Sequence, residues 1–217
     1  DEKIKSLSLM ATGIAHDLNN LVAAILGNIS AVIRHLPPDS PVLKNATQIE
    51  TTARKALDLT GQLQAYAGKG QFKLENVHIN PIINKLAGTL NESLPPGISI
   101  QYELHQSLPA IIGDPAAVRQ VILSLVNNAS AAILEGKGAI TVSTGVAKPA
   151  SIRRDDVCMD EIQHGNNYVY IDVTDTGCGM THDDQCNIFD PFFTTKIRGQ
   201  GLGLSVAQGI VRAHGGI

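Results

Sequence analysis

The sequence predicts an α+β protein: an antiparallel helical hairpin that pairs with a second copy into a dimeric four-helix bundle, followed by a mixed layer of strands and helices. Three observations carry this reading. Two stretches place mostly apolar residues at alternating steps of four and three, first Leu7, Ala11, Ile14, Leu18, Leu21, Ile25, Asn28 and Val32, then Val42, Ala46, Ile49, Ala53, Ala56, Thr60, Leu63 and Ala67. That alternation is the seam of packed helices. Pro37, Pro38 and Pro41 break the chain between them, as a hairpin requires. Beyond residue 70, strands and helices are mixed without the regular βαβ order of a Rossmann sheet.

The boundary falls at "GKGQFKLENVH", giving domains 1–70 and 71–217. Two helices bury little alone, and pairing two hairpins covers both seams. Asn28 on the seam either fixes register or is a tolerated defect near a helix end. In the second region, "NPIINKLAGTLNESL" has Asn80 as N-cap and Pro81 at the first helical position. "GISIQYEL" alternates as a strand. "GDPAAVRQVILSLVNNASAAI" is a helix capped by Asp114 with Pro115 next, running to about Ile133. "GAITVSTGV" and "NYVYIDVTDTG" read as strands, with the polar run from Lys148 to Asn167 as a long hairpin loop between them. "GLGLSVAQGIVRAHGG" reads as a helix closed by Gly215 and Gly216.

The composition narrows the function. The chain has 217 residues, 43% apolar and 17% charged, with a net charge of −3. It is globular, and it lacks the clustered basic face that nucleic acid or an anionic membrane would need. Cys158, Cys178 and Cys186 are too few and too odd in number for a disulfide framework, which points to a reducing, cytoplasmic setting. No stretch reaches the roughly 18 apolar residues of a membrane span, so no membrane contact is expected within this fragment. The chain opens in mid-helix pattern, like a piece of a longer protein. The spacing Cys178, His182, Cys186 is read as a coincidence rather than zinc, because Gly177 and Gly179 disfavour the helix that would align them.

Several residues carry chemistry. In "GIAHDLNN", if Leu18 is heptad position a, His16 falls at f, farthest from the seam, and Asn20 lies one turn on, on the same side. The adjacent Asp17 carboxylate can accept Nδ1–H, leaving Nε2 unprotonated and nucleophilic. Taken alone, the stretch is equally an ordinary solvated histidine. "DTGCGM" follows a strand, so Asp175 sits at a strand end and its glycines let a ligand approach the backbone. "GQGLGL" is a glycine-rich turn feeding a helix N-terminus, where N–H groups and the helix dipole favour phosphate, although such a turn is often only a turn. Asn128 offers an amide oxygen of the kind that suits Mg²⁺.

Taken in order, His16-Asp17, Asn128-Ala129, Asp175-x-Gly177-x-Gly179, Phe189…Phe192-Phe193 and Gly199-x-Gly201-x-Gly203 resemble the transmitter module of a two-component sensor histidine kinase. "HDLNN" with "DPFFTTK" and the short "GQGLGL" loop most resembles the nitrogen-regulation-type subgroup. The resemblance implies an α/β-sandwich ATP-binding domain of the histidine kinase/gyrase type after the hairpin. It implies His16 as phosphoacceptor, Asp17 as the acid that orients it, and Asn20 as the residue aligning water or phosphoryl group in dephosphorylation. Asn128 matches the Mg²⁺ ligand. Asp175 matches the acceptor of the adenine amino group, with Gly177 and Gly179 giving the base room. Phe189, Phe192 and Phe193 would anchor a flexible lid, Lys196 would stand near the terminal phosphates, and Gly199, Gly201 and Gly203 would line the triphosphate. The implied cofactors are ATP and Mg²⁺. The implied partners are a second copy of the chain, in a homodimer, and the receiver domain of a response regulator.

Three departures stand out. Ser124 replaces a common additional Asn, Ala131 replaces a common charged residue, and the chain stops at "HGGI" where the family's sheet usually continues with a hairpin. They motivate a competing reading as a signalling scaffold or phosphatase with a degenerate nucleotide site. A gyrase-like ATPase is disfavoured by the helical hairpin and its His-Asp pair.

Overall fold

The computed structural model describes residues 2–66, 72–134, 136–151, 167–196 and 201–217. The chain divides into two compact units, Asp1–Gly70 and Gln71–Ile217.

The first unit is a helical hairpin of α1 (Glu2–His35) and α2 (Leu43–Tyr66). Prolines 37, 38 and 41 occupy the connection, closed by a Ser40 N–H to Pro37 carbonyl bond of 3.0 Å. The helices run antiparallel. Ser30 Oγ donates to Glu50 Oε1 at 3.2 Å near the loop, and Thr60 Oγ1 donates to Asn19 Oδ1 farther from it. On α1, Val22 is buried and Asn19, Leu26, Ile29 and Ile33 are half-buried; on α2, Ala46, Ala53 and Thr60 are buried. The interhelical contact on α1 therefore follows a line one residue round from the expected seam. Leu18, Leu21, Ile25 and Val32 of that seam stay 40–62% exposed, as do Val42 just before α2 and Ile49 on it, at 51% and 49%. Two helices share only one contact line, so a repeat with apolar residues on two lines leaves the second uncovered. Asn28 is exposed; the buried polar pair is Asn19 with Thr60.

The second unit is a two-layer α/β sandwich, and the chain as a whole is α+β. Its three-stranded sheet has the order β2-β4-β5, with β2 Ile98–Leu104, β4 Gly138–Ala147 and β5 Tyr168–Asp175. β2 and β4 are parallel, with Ile98 opposite Gly138. β4 and β5 are antiparallel, with Ile140 opposite Asp175 and Ala147 opposite Tyr168. A separate two-stranded ribbon pairs β1 (Glu75–Val77) with β3 (Ile111–Gly113).

Helices α3 (Ile79–Ser93) and α4 (Pro115–Ala132) cover one face of the sheet. Ile83, Leu86 and Leu90 of α3 and Val118, Ile122, Val126 and Ala129 of α4 recur at helical spacing and pack on Ile140 and Val142 of β4. Ile98, Ile100, Tyr102 and Leu104 of β2 and Val169, Ile171 and Val173 of β5 supply the same layer at strand period. Ser99, Gln101 and Glu103 on the opposite face of β2 are exposed, as on a sheet solvated on one side.

α4 starts where the sequence places it: Asp114 Oδ1 accepts the Ala116 and Ala117 N–H groups at 2.8 and 3.2 Å, and Pro115 follows. α3 differs. His78 is its N-cap, without a side-chain cap bond, and Asn80 lies inside the helix. The Asn80 amide instead donates to the His105 carbonyl at 2.8 Å and accepts from Thr144 Oγ1 at 2.9 Å, tying α3 to β2 and β4. α6 (Gly203–Ala213) ends in a Schellman motif: Gly215, at φ +70°, donates to the Arg212 carbonyl, and Gly216 to that of Val211, each at 2.9 Å.

Candidate functional site

Parts of three elements meet in the second unit: the end of β5, the C-terminal half of α4 and the start of α6. Asp175 closes β5 half-buried, and its Oδ1 accepts the Gly177 N–H at 2.8 Å in an Asx turn. Thr176 locks this turn to β4 through two bonds with Ala139, the main-chain N–H to its carbonyl at 3.1 Å and Oγ1 from its N–H at 3.0 Å. Cys178 N–H donates to the Ala132 carbonyl at the end of α4, 3.0 Å away. A Cβ on Gly177 would lie 2.6 Å from that same backbone, so this glycine is required by close packing on α4. Gly179 has φ +69° with open space around it.

Asn128 is half-buried on α4, and its Oδ1 accepts from Lys196 Nζ at 2.9 Å. The same ammonium donates to the Asn128 main-chain carbonyl at 3.1 Å. Burial pushes the Lys196 ammonium below the usual lysine range, an effect opposed by the nearby Cys178 and Asp175. Asn128, Lys196, Cys178 and Asp175 thus share one neighbourhood.

The segment carrying Lys196 begins after α5 (His182–Asn187), a short helix whose Thr181 cap and Asp184 form a capping box. Phe189 and Phe193 are half-buried; Phe192 is 63% exposed and holds φ +68°. Phe192 N–H donates to the Gly201 carbonyl at 2.9 Å. Gly201 itself has φ +65°, and a Cβ there would lie 2.4 Å from the Phe192 backbone. Gly203 opens α6, whose N-cap Leu202 offers no side-chain bond; the positive end of the helix dipole there favours an anion. Ser124 is buried, and a Cβ on Gly203 would stand 3.9 Å from the Ser124 Cβ, while Ala131 is exposed. Gly199 lies outside the described residues.

In the first unit, α1 carries positions 16, 17 and 20. Asn20 is exposed; the side chains of His16 and Asp17 lie outside the described ones. By helical period, position 16 falls about 100° from the line that contacts α2 and about 160° from the uncovered apolar line.

Thr176 goes unnoticed in the sequence, although a β-branched hydroxyl residue between two site residues is a usable signal; Cys178 is weighed there only as a zinc ligand, not as a neighbour of Lys196. Among the described residues no group of three or more His, Cys, Asp or Glu is arranged to hold a metal, and no helix is long and apolar enough to cross a membrane. His182 and Cys186 lie on α5, and Cys178 precedes it.

Residues 113–217 match the family described as histidine kinase-, DNA gyrase B-, and HSP90-like ATPase. The chain is 30% identical over 220 residues to the sensor kinase CckA of Brucella abortus (strain 2308), an alignment covering 99% of this chain and 22% of that protein. It is 30% identical over 216 residues to the sensor histidine kinase ZraS of Klebsiella oxytoca, covering 99% of this chain and 43% of that one. The chain therefore spans less than half the length of these relatives. Its fold resembles that of full-length ShkA, solved in complex with AMPPNP, with a TM-score of 0.67 at 20% identity over 95% of this chain and 41% of that one. It also resembles histidine kinase ThkA, solved in complex with the response regulator TrrA, with a TM-score of 0.50 at 20% identity over 99% of this chain and 57% of that one. Residues 113–217 are thus a histidine kinase-, DNA gyrase B- and HSP90-like ATPase domain, and over 99% of its length the chain is similar to sensor histidine kinases.

Proposed function

We propose that the chain is an ATP-dependent protein-histidine kinase of a two-component system, phosphorylating His16 and passing the phosphoryl group to an aspartate of a response regulator. One observation carries the nucleotide half: Asp175, Asn128, Lys196 and the uncapped start of α6 converge on one edge of the ATPase domain. Asp175, oriented by Gly177 N–H, accepts from the adenine amino group, and Gly179 leaves space beside the base. The N–H groups at Gly201 and Gly203 receive the triphosphate. Gly199, Phe189 and Phe193 complete the loop around it, with Phe192.

The donor set fits Mg²⁺. Asn128 presents an amide oxygen that already attracts a cation, the Lys196 ammonium, and Mg²⁺ needs few protein ligands because it keeps waters and phosphate oxygens. Bound there, the metal neutralises charge on the transferring phosphoryl group. Asp17 holds the His16 imidazole with Nε2 unprotonated and stabilises the imidazolium. Nε2 attacks the γ-phosphorus, the bond to the β–γ bridging oxygen breaks, and ADP leaves with that electron pair. The phosphoramidate formed is reactive enough for onward transfer. Asn20, exposed one turn from His16, aligns water or the phosphoryl group during dephosphorylation.

The uncovered apolar line of Leu18, Leu21, Ile25 and Val32 supports a homodimer built on domain 1–70, with 71–217 as the catalytic ATP-binding domain. The chain's setting is cytoplasmic and its motifs place it nearest the nitrogen-regulation subgroup. Incubation with γ-labelled ATP and Mg²⁺ gives acid-labile, base-stable label on the wild type and none on His16→Gln. Equal labelling of the variant contradicts the assignment. Nucleotide binding without label, with docking to a receiver domain intact, returns the scaffold or phosphatase reading.

A further inference from the structure

The ammonium of Lys196 makes an unusual pair of contacts. It donates to two oxygens of one residue, the carboxamide Oδ1 of Asn128 at 2.9 Å and the Asn128 carbonyl at 3.1 Å. A structural lysine commonly pairs with a carboxylate, reaches solvent or bonds helix-end carbonyls, none of which uses a carboxamide oxygen. Here a half-buried cation sits on two neutral amide oxygens, the hard donors that divalent cations also choose. The charged or titratable groups near it are Cys178, just beyond β5, and Asp175, the last residue of β5.

We propose that Lys196 is a built-in stand-in for the metal: in the nucleotide-free chain its ammonium occupies the cation position on Asn128 Oδ1, and the divalent cation that arrives with nucleotide displaces it. This rests on the reading of Asn128 as the metal ligand. Two cations cannot share that oxygen at hydrogen-bond and coordination distance, because their repulsion in a half-buried site is strong. The lysine also holds its own segment in place. Its backbone N–H donates to Thr194 Oγ1 at 3.1 Å, and Phe192, four residues earlier, is bonded to Gly201. The contact with Asn128 therefore anchors residues 192–196 to α4. Displacement releases the anchor and delivers the ammonium to the phosphates, so metal arrival and movement of this segment become one event. The two cations exchange without a covalent step.

The test has two arms on the full chain. In the first, amide hydrogen exchange without nucleotide compares wild type, Lys196→Met, Asn128→Ala and the double variant. Each single change speeds exchange across residues 190–196 several-fold, and the double variant adds nothing further. Unchanged exchange, or effects that add, overturns the anchor. In the second, Mn²⁺ serves as a spin probe with ADP, which lacks the terminal phosphate. Lys196→Met tightens Mn²⁺ in the ternary complex by at least about threefold, because its competitor is gone. A weakened or unchanged affinity in the variant, with wild-type binding present, overturns the proposal alone. Absence of Mn²⁺–ADP binding to wild type overturns the nucleotide reading with it, while the first arm still reports on the anchor.

Discussion

The imidazole of His214 accepts the backbone N–H of Asp114 at 3.0 Å, joining the end of α6 to the start of α4. Its other ring nitrogen donates to the Ile210 carbonyl at 2.7 Å, which fixes the tautomer. The Phe72 ring lies against it with centroids 4.8 Å apart, and Lys73 N–H donates to Asp114 Oδ2 at 2.8 Å. The first described residues of the second unit are thus held by the caps of two helices that border the site. His214→Ala removes an acceptor and a ring contact together. It should lower the stability of this unit by about 1–3 kcal/mol, read from urea unfolding followed by circular dichroism.

Asp114 itself responds to pH. Partial burial raises its carboxyl, but the N–H groups of Lys73, Ala117 and Ala116 together outweigh that and hold it below the ordinary value of 3.8. A carboxylate depressed on folding stabilises fully above its unfolded value and loses that contribution as the pH falls through its folded value. Asp114→Ala should cost about 1 kcal/mol at neutral pH by loss of the cap. Asp114→Asn keeps the cap and loses the pH-dependent part, so its stability should converge with that of wild type in acid.

Gly201 and Gly179 separate two kinds of glycine requirement. Both hold positive φ, but a Cβ at Gly201 would collide with the Phe192 backbone while one at Gly179 meets nothing within 4 Å. Gly179→Ala should cost only the left-handed strain, about 1 kcal/mol. Gly201→Ala should cost more, about 2–3 kcal/mol, and should also disturb the segment bearing Lys196. Urea unfolding measures both costs, and a cost at Gly179 equal to or above that at Gly201 would reverse the order.

Asp175→Asn keeps an oxygen for the Gly177 N–H, so the turn should survive. In the proposed site the substitution removes the carboxylate assigned to the adenine amino group, and a hydrogen bond to a charged acceptor is worth about 1.5–3 kcal/mol. A fluorescent ATP analogue should bind roughly ten- to a hundredfold more weakly, with the far-ultraviolet circular dichroism unchanged.

The fold class was legible where local chemistry decides. Alternation in Ile98, Ile100, Tyr102 and Leu104 marks β2, and Asp114-Pro115 marks the start of α4. The ribbon of β1 and β3 was not, because three residues per strand carry no period and the pairing spans a long stretch of chain. Asn80-Pro81 imitates a helix start, yet the Asn80 amide is committed to His105 and Thr144, which only the folded sheet brings near. The helical seam was visible as a repeat, but not which of its two lines the hairpin itself covers. Asp175, Asn128 and Lys196 stand out by motif, whereas Thr176, which locks the Asp175 turn to β4, does not. The direct contact of Lys196 with Asn128, 68 residues apart, follows no spacing rule and comes from the tertiary fold.

The exposed line on α1 gives a prediction about assembly. Leu21 and Ile25 are 62% and 49% exposed on the single hairpin. Leu21→Glu with Ile25→Glu places charges on that line and should convert a dimer to monomer in sedimentation equilibrium, with helix content retained. A wild-type monomer, or a dimer indifferent to the double substitution, would remove the assembly from the mechanism.

The most direct test is a crystal structure with Mg²⁺ and a non-hydrolysable ATP analogue. The expected result has the adenine amino group on the Asp175 carboxylate, the metal on Asn128 Oδ1, Lys196 Nζ moved to a phosphate oxygen, and the triphosphate against Gly201 and Gly203. An analogue bound away from these residues, or a metal bound with Lys196 still on Asn128, would contradict a single cradle built from them.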